Sequence, residues 1–154
     1  MTRSINSYLI LLFLIFFNNS CVEDPGQSNG VVTFISSQSF GCIQEIPFDQ
    51  ISDEGVLTWQ WERGTLGLFV HVDTHCETNM IDSINVKEGL ITIMLEDTAS
   101  VESDCACKFR ETYYFRVDAF NEVKVKCLFK SIRSESFLLV IDRTLILEVE
   151  NTGF

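Results

Sequence analysis

The chain has 154 residues, of which 22 are acidic and 11 are basic, so its formal net charge is −11. This balance excludes a nucleic-acid-binding protein, because such proteins need basic patches to neutralise phosphate groups. The length and a hydrophobic content of 46% suffice for one domain with a buried core, which excludes a small scaffold held together by disulfides alone.

The first element is an apolar segment that follows Arg3 and runs from Tyr8 to Phe17. A segment of about ten residues is too short to span a membrane, which takes about 20, but it matches the apolar part of a secretory signal. Ser20 then supplies a small residue and Cys21 follows it. This order resembles the lipobox of bacterial lipoproteins, whose cysteine is acylated and becomes the first residue of the mature chain. The alternative is an ordinary signal peptide with an incidental cysteine.

The residues around Cys21 predict where the protein is held. Acyl chains add about 0.8 kcal/mol of membrane affinity per buried CH₂, so Cys21 is expected to anchor the chain to the outer membrane of a bacterial cell envelope. The acidic pair Glu23 and Asp24 resembles a surface-export signal and predicts display on the cell surface. Asn18 departs from the lipobox, which commonly has an aliphatic residue three positions before the cysteine.

Three regions are expected: the signal peptide 1–20, a lipidated and flexible tether 21–30, and one domain 31–154. The tether is rich in turn-forming residues. The domain shows a β-branched and aromatic run at residues 31–35 and apolar residues with a period of two, as in half-buried strands, over residues 57–61, 66–72, 91–95, 109–117, 123–129 and 145–149. Only residues 48–54, after Pro47, could form a helical turn. Glu111 lies on an apolar strand face, which predicts a bulge or a buried hydrogen-bond partner.

This pattern predicts an all-β fold of about seven to nine strands. An antiparallel β-sandwich is the expected architecture, because a single sheet would leave one face of so apolar and aromatic a chain in water. A small β-barrel is the alternative.

Side chains alternate between the two faces of a strand, which orients the cysteines. The apolar positions of the third and fifth predicted strands place Cys76, Cys105 and Cys107 on inward faces. Residues 118–121 are interpreted as a hairpin turn, which places Cys127 about 16 Å from Cys107. A disulfide needs Cα atoms within about 7 Å, so Cys127 is expected to be a free thiol in the core.

The remaining cysteines, Cys42, Cys76, Cys105 and Cys107, are candidates for two disulfides, as expected in an exported chain. Residues i and i+2 on one strand face lie too far apart for an easy bond. Cys42 and Cys76 are therefore each predicted to pair with Cys105 or Cys107, with Cys76–Cys107 preferred. Four thiols could instead bind zinc or copper, but C-x-C is not the usual C-x₂-C spacing and the compartment is oxidising.

A second group of candidate metal ligands, His71, Asp73 and His75, lies on the outward face of one predicted strand. The two histidines are about 13 Å apart on a regular strand, too far to share one ion without a bend. A neighbouring strand would have to complete the site. The favoured interpretation is a polar face in contact with solvent, and no metal or other cofactor is expected.

Three segments resemble a group of small Bacteroidetes-type exported lipoproteins: GTLGLFVHVDTHC at 64–76, NVKEGLITI at 85–93 and CACKF at 105–109. In that group a histidine-containing strand that ends in cysteine precedes a strand that begins with C-x-C. The resemblance covers residues 56–117, less than half of the chain. It implies an exported β-domain and carries no activity or catalytic residues.

The function expected from the sequence is that of an envelope-anchored lipoprotein that acts as a non-catalytic structural, interaction or binding module. An enzyme is not expected, since no G-x-S-x-G motif occurs. The expected partners are the membrane, through Cys21, and a protein or glycan; nucleic acid is excluded. Trp59 and Trp61 could stack on a sugar but are expected in the core. A metal-binding envelope protein is the alternative function.

Overall fold

A computed structural model describes residues 30–52, 54–100 and 104–147, which form eight strands in two four-stranded sheets. The predicted signal peptide, Cys21 and the tether up to residue 29 lie outside these ranges. The strands are β1 (Val31–Ile46), β2 (Val56–Glu62), β3 (Thr65–His75), β4 (Met80–Lys87), β5 (Leu90–Asp97), β6 (Ala106–Asp118), β7 (Glu122–Lys130) and β8 (Leu138–Ile146). A single 3₁₀ turn, Phe48–Gln50, follows β1.

The strand order is β1-β6-β3-β2 in the first sheet and β4-β5-β7-β8 in the second. The two sheets pack on each other and do not close, so the predicted sandwich is confirmed and the barrel alternative is wrong. No helix in the described ranges has the length and apolarity to cross a bilayer.

The core lies between the central strands, β3 and β6 of one sheet and β5 and β7 of the other. Their alternating apolar side chains are those that the period of two predicted. Burial of each large apolar side chain contributes about 1.5–3 kcal/mol of favourable transfer free energy. The fully buried members include Leu66, Leu68, Ile91, Ile93, Leu95, Tyr113, Phe115, Val123 and Val125.

One strand pair departs from the predicted antiparallel arrangement: β5 and β7 run parallel, with Ile93 opposite Cys127. The chain leaves the second sheet after β5, forms β6 in the first sheet, and returns as β7. The predicted hairpin at 118–121 is therefore wrong, because this turn joins two different sheets. Phe120 fixes the turn by packing on Gly30, where a Cβ would lie 2.5 Å from its ring.

β1 is a long edge strand that is interrupted three times. Ile35, Phe40 and Ile43 each fall at a shift in the register with β6 and are 50%, 43% and 44% exposed. The ring of Phe40 is covered by the guanidinium of Arg110, 4.2 Å from the ring centroid. Bulges of this kind twist an edge strand and discourage edge-to-edge aggregation.

The apolar face of β6 contains a carboxyl group, as the sequence indicated. Glu111 is only 6% exposed and lies opposite Ser39 of β1, whose hydroxyl is its hydrogen-bond partner. Of the two predicted explanations, a hydrogen-bond partner is found, although Ser39 itself is exposed, and a bulge of β1 at Phe40 lies directly beside the pair. Burial raises the pKa of Glu111 above its ordinary value, the hydrogen bond to Ser39 opposes this, and the charge of Asp82 adds to it.

Glu111→Gln should stabilise the protein at neutral pH, on the order of 1 kcal/mol, because it removes a buried charge and keeps a hydrogen-bonding group. A carboxyl pKa raised by folding favours the folded state at low pH, and this contribution is lost as the pH rises through the folded-state pKa. The advantage of the variant should therefore grow between about pH 4 and about pH 7. Urea unfolding at both pH values measures it. Glu122→Gln, at an exposed position of β7, is the control, and a gain independent of pH would contradict the assignment.

Candidate functional sites

Four cysteines meet at one end of the first sheet, where β1 and β3 finish and β6 begins. Cys42 is bonded to Cys107, with Cα atoms 5.7 Å apart, and Cys76 is bonded to Cys105, with Cα atoms 5.3 Å apart. The first bond joins β1 to β6, and the second joins the residue directly after β3 to the residue directly before β6. Both disulfides therefore hold strands of the same sheet together.

The disulfides confirm that Cys42 and Cys76 each pair with one cysteine of the C-x-C motif, but the preferred Cys76–Cys107 bond is wrong. The register of the sheet gives the reason. Cys107 lies opposite Thr74, whereas Cys76 is directly across from Cys105 and donates its backbone N–H to the Cys105 carbonyl over 3.0 Å. Cys107 therefore bonds to Cys42 of β1, the strand on the other side of β6.

Cys127 is a free cysteine, buried in the core, as predicted. The geometric reason differs from the predicted one, because β7 belongs to the second sheet and no hairpin sets its distance from Cys107. Cys127 lies between Ile93 of β5 and Ile141 of β8. Burial raises the pKa of its thiol to about 12, so the group stays protonated and unreactive at neutral pH.

The sulfur atoms of the two disulfides lie close to each other. The Sγ atoms of Cys42, Cys76 and Cys107 are all within 4.8 Å of one another, and Cys105 is bonded to Cys76. Within the described ranges, this is the only group of at least three potential ligand side chains whose ligand atoms approach so closely. The group includes buried Cys107 and exposed Cys42, so it extends from the interior to the surface.

The second predicted ligand group, His71, Asp73 and His75, is not gathered into one site. The carboxylate of Asp73 accepts a hydrogen bond from the backbone N–H of Ser52 over 3.1 Å. The expectation of a solvent-facing row is wrong for His75, which is 4% exposed because the ring of Phe48 packs on it at 5.7 Å. The connection between β1 and β2, which contains Phe48, therefore covers the His75 end of the histidine row.

His71 is half-buried and lies opposite Arg110 of β6. Burial lowers the pKa of its imidazole, and the positive charges of Arg110 and Lys108 lower it further. The ring is therefore neutral at physiological pH, which suits a ligand nitrogen, but His71 belongs to no cluster of three or more potential ligands within residues 30–52, 54–100 and 104–147.

A groove on the outer face of the first sheet was not predicted. Its floor is Gly67, the central residue of a row in which Gln60 of β2 and Tyr114 of β6 lie on either side. The groove has a volume of about 320 Å³. Its lining comprises polar Gln60, Glu62, Arg63 and Thr65, and the rings of Phe69 and Tyr114.

The sequence contained one signal for this groove. Leu66 and Leu68 point inward, so Gly67 and Phe69 are outward positions, and a glycine beside an outward aromatic residue is unusual on a solvent-facing strand. Aromatic surface beside hydrogen-bonding groups is the composition of small-molecule sites. Of the two tryptophans expected in the core, Trp61 packs against it but Trp59 is 41% exposed.

The chain matches no protein-family model, and no curated protein or solved structure matches it either. The resemblance to Bacteroidetes-type lipoproteins stays a prediction.

Proposed function

We propose that this protein is an exported lipoprotein, anchored to the outer membrane through acylated Cys21, and that its β-sandwich is a non-catalytic binding module. The order of residues at 3–21 supports export and acylation. The two disulfides support an oxidising compartment, since disulfides persist mainly in exported proteins.

The observation that carries the binding role is the groove around Gly67. Its rings offer apolar surface for the C–H face of a sugar, and its amide, carboxylate, guanidinium and hydroxyl groups offer both donors and acceptors for sugar hydroxyls. Its volume falls at the lower end of the range for ligand sites. A short glycan is therefore the ligand that the groove fits best.

The position of the groove favours a ligand of the envelope itself. Thr65, at one end of the groove, and Thr33, near the start of β1, lie on either side of Arg116 in the first sheet. The groove and the first residues of the domain therefore share one end of the sandwich. The proposed tether joins the domain at that end, so the anchor would hold the groove close to the membrane surface.

Tyr114→Ala should weaken glycan binding about tenfold, because an aromatic contact contributes about 0.5–1.5 kcal/mol beyond its buried area. The probe is a panel of soluble peptidoglycan fragments and lipopolysaccharide core oligosaccharides, titrated into the full-length protein and followed by the NMR shifts of backbone amides. We expect the largest shifts at Gly67 and Phe69.

Phe40→Ala is the matched control, because it removes an exposed ring from the same sheet at a position outside the groove. It should bind the saccharides as the native protein does. Shifts confined to another surface, no shift with any saccharide, or equal losses in both variants would each contradict the glycan role of the groove.

A further inference from the structure

We propose that the four cysteines at the end of the first sheet, in their reduced state, form a tetrathiolate site for one thiophilic divalent cation, of which Zn²⁺ is the test case. Of the two ligand groups that the sequence offered for metal binding, the site uses the cysteines and not the histidine row. It depends neither on the glycan groove nor on the anchor.

The distances between the sulfur atoms suit such a site. Four sulfurs at about 2.3 Å from a tetrahedral zinc ion lie about 3.8 Å from one another. The Sγ atoms of Cys42, Cys76 and Cys107 already lie within 4.8 Å of one another, and the fourth sulfur is bonded to Cys76. The Sγ atom of Cys105 lies outside this group, so once the two S–S bonds open, its side chain has to rotate towards the other three sulfurs to complete four ligands around one ion.

Backbone pairing holds these positions in addition to the disulfides. Cys107 lies within β6, with Glu45 opposite it in β1 and Thr74 opposite it in β3. Cys76 is fixed by its backbone hydrogen bond to Cys105. The buried hydroxyl of Thr74 donates to the carboxylate of Asp97 over 3.0 Å, which fastens the end of β3 to the second sheet. The reduced thiols should therefore stay together.

The surroundings provide both shielding and access. Cys107 is fully buried, and Phe48 and His75 pack against each other at the same end of the sheet. Cys42 is exposed, so an ion can enter from that side. Soft thiolate ligands select d¹⁰ ions such as Zn²⁺ over hard cations such as Mg²⁺ or Ca²⁺.

The chemistry balances with one named reductant and one metal ion. A water-soluble phosphine reduces each disulfide to two thiols and becomes a phosphine oxide, with its oxygen taken from water. Zn²⁺ then forms four Zn–S bonds and displaces four thiol protons into the solvent.

The experiment uses the full-length protein, purified in detergent. The protein is reduced with phosphine in the absence of oxygen, and the phosphine is then removed. We expect one Zn²⁺ to be retained per chain, and Co²⁺ to give the intense visible bands of tetrahedral cobalt thiolate. Alkylation followed by peptide mapping should show protection of Cys42, Cys76, Cys105 and Cys107 by Zn²⁺. Retention of no Zn²⁺, or protection of a different set of cysteines, would overturn the proposal.

Two variants sharpen the result. Cys105→Ser should lose the tetrathiolate cobalt spectrum, whereas Cys127→Ser, which removes the free core cysteine, should keep it and bind one Zn²⁺. Circular dichroism checks that both variants retain their strands. An unchanged cobalt spectrum in Cys105→Ser would also overturn the site. If that variant does not fold, the alkylation map of the native sequence still shows whether Zn²⁺ binds these four cysteines.

Discussion

The double variant Cys42→Ala/Cys107→Ala should lose about 4 kcal/mol of unfolding free energy under oxidising conditions. The bond closes a separation of 65 residues, and the loop-entropy model gives about 4 kcal/mol for that length at 25 °C. Domains of this size are stable by only about 5–15 kcal/mol. The loss would therefore remove a large share of the total, and urea unfolding measures it.

The control is the other double variant, Cys76→Ala/Cys105→Ala, whose bond spans 29 residues. Its loss should be slightly smaller, about 3.6 kcal/mol on the same model. Cys42 and Cys107 also join the edge strand β1 to β6, so their removal should speed hydrogen exchange in the second half of β1 more than in β3. A loss below about 1 kcal/mol would show that the unfolded chain is already compact at this end.

Much of the fold was predictable from local pattern. The period of two placed Leu66, Leu68 and Phe115 correctly on inward faces, because a half-buried strand needs its apolar side chains on one side. The inward direction of Cys107 followed from the same rule. What the pattern did not contain is which strand lies beside which, because pairing between distant strands depends on the packing of the whole sandwich.

The errors follow from that missing information. Residues 118–121 resemble a hairpin turn locally, yet Phe120 fastens them to Gly30 and the chain crosses to the other sheet. Without the register between β3 and β6, nothing in the sequence distinguished Cys105 from Cys107 as the partner of Cys76. The connection between β1 and β2, two edge strands of the same sheet, places Phe48 against His75, a position that strand periodicity alone treats as outward.

The cysteine cluster and the groove around Gly67 differ in how far the sequence alone predicts them. The cysteines were recognised as a set from their number and spacing, and the structure supplied the closeness of their sulfur atoms. The groove depends on Gln60, Gly67 and Tyr114, which are far apart in sequence and form one row only once β2, β3 and β6 are paired. No local motif encodes such a row.

Cys21→Ser should release the protein from membranes. Acyl chains supply about 0.8 kcal/mol per buried CH₂, so the loss of every chain should move the protein from the membrane fraction to the aqueous fraction. Residues 1–20 contain Arg3 and no acid, so the proposed mature chain, which lacks them, would be more acidic than the whole sequence. Anionic lipid surfaces would repel it, and no electrostatic binding would replace the anchor.

The matched control is Cys127→Ser, which removes a different cysteine and should leave the protein in the membrane fraction. Detergent phase separation of cell extracts measures the partition, and the mass of the N-terminal peptide tests acylation directly. Retention of Cys21→Ser in the membrane, or a native N-terminal peptide with an unmodified Cys21, would refute the anchor. Binding at the groove and metal uptake by the reduced cysteines would remain separate questions, because neither depends on how the chain is held.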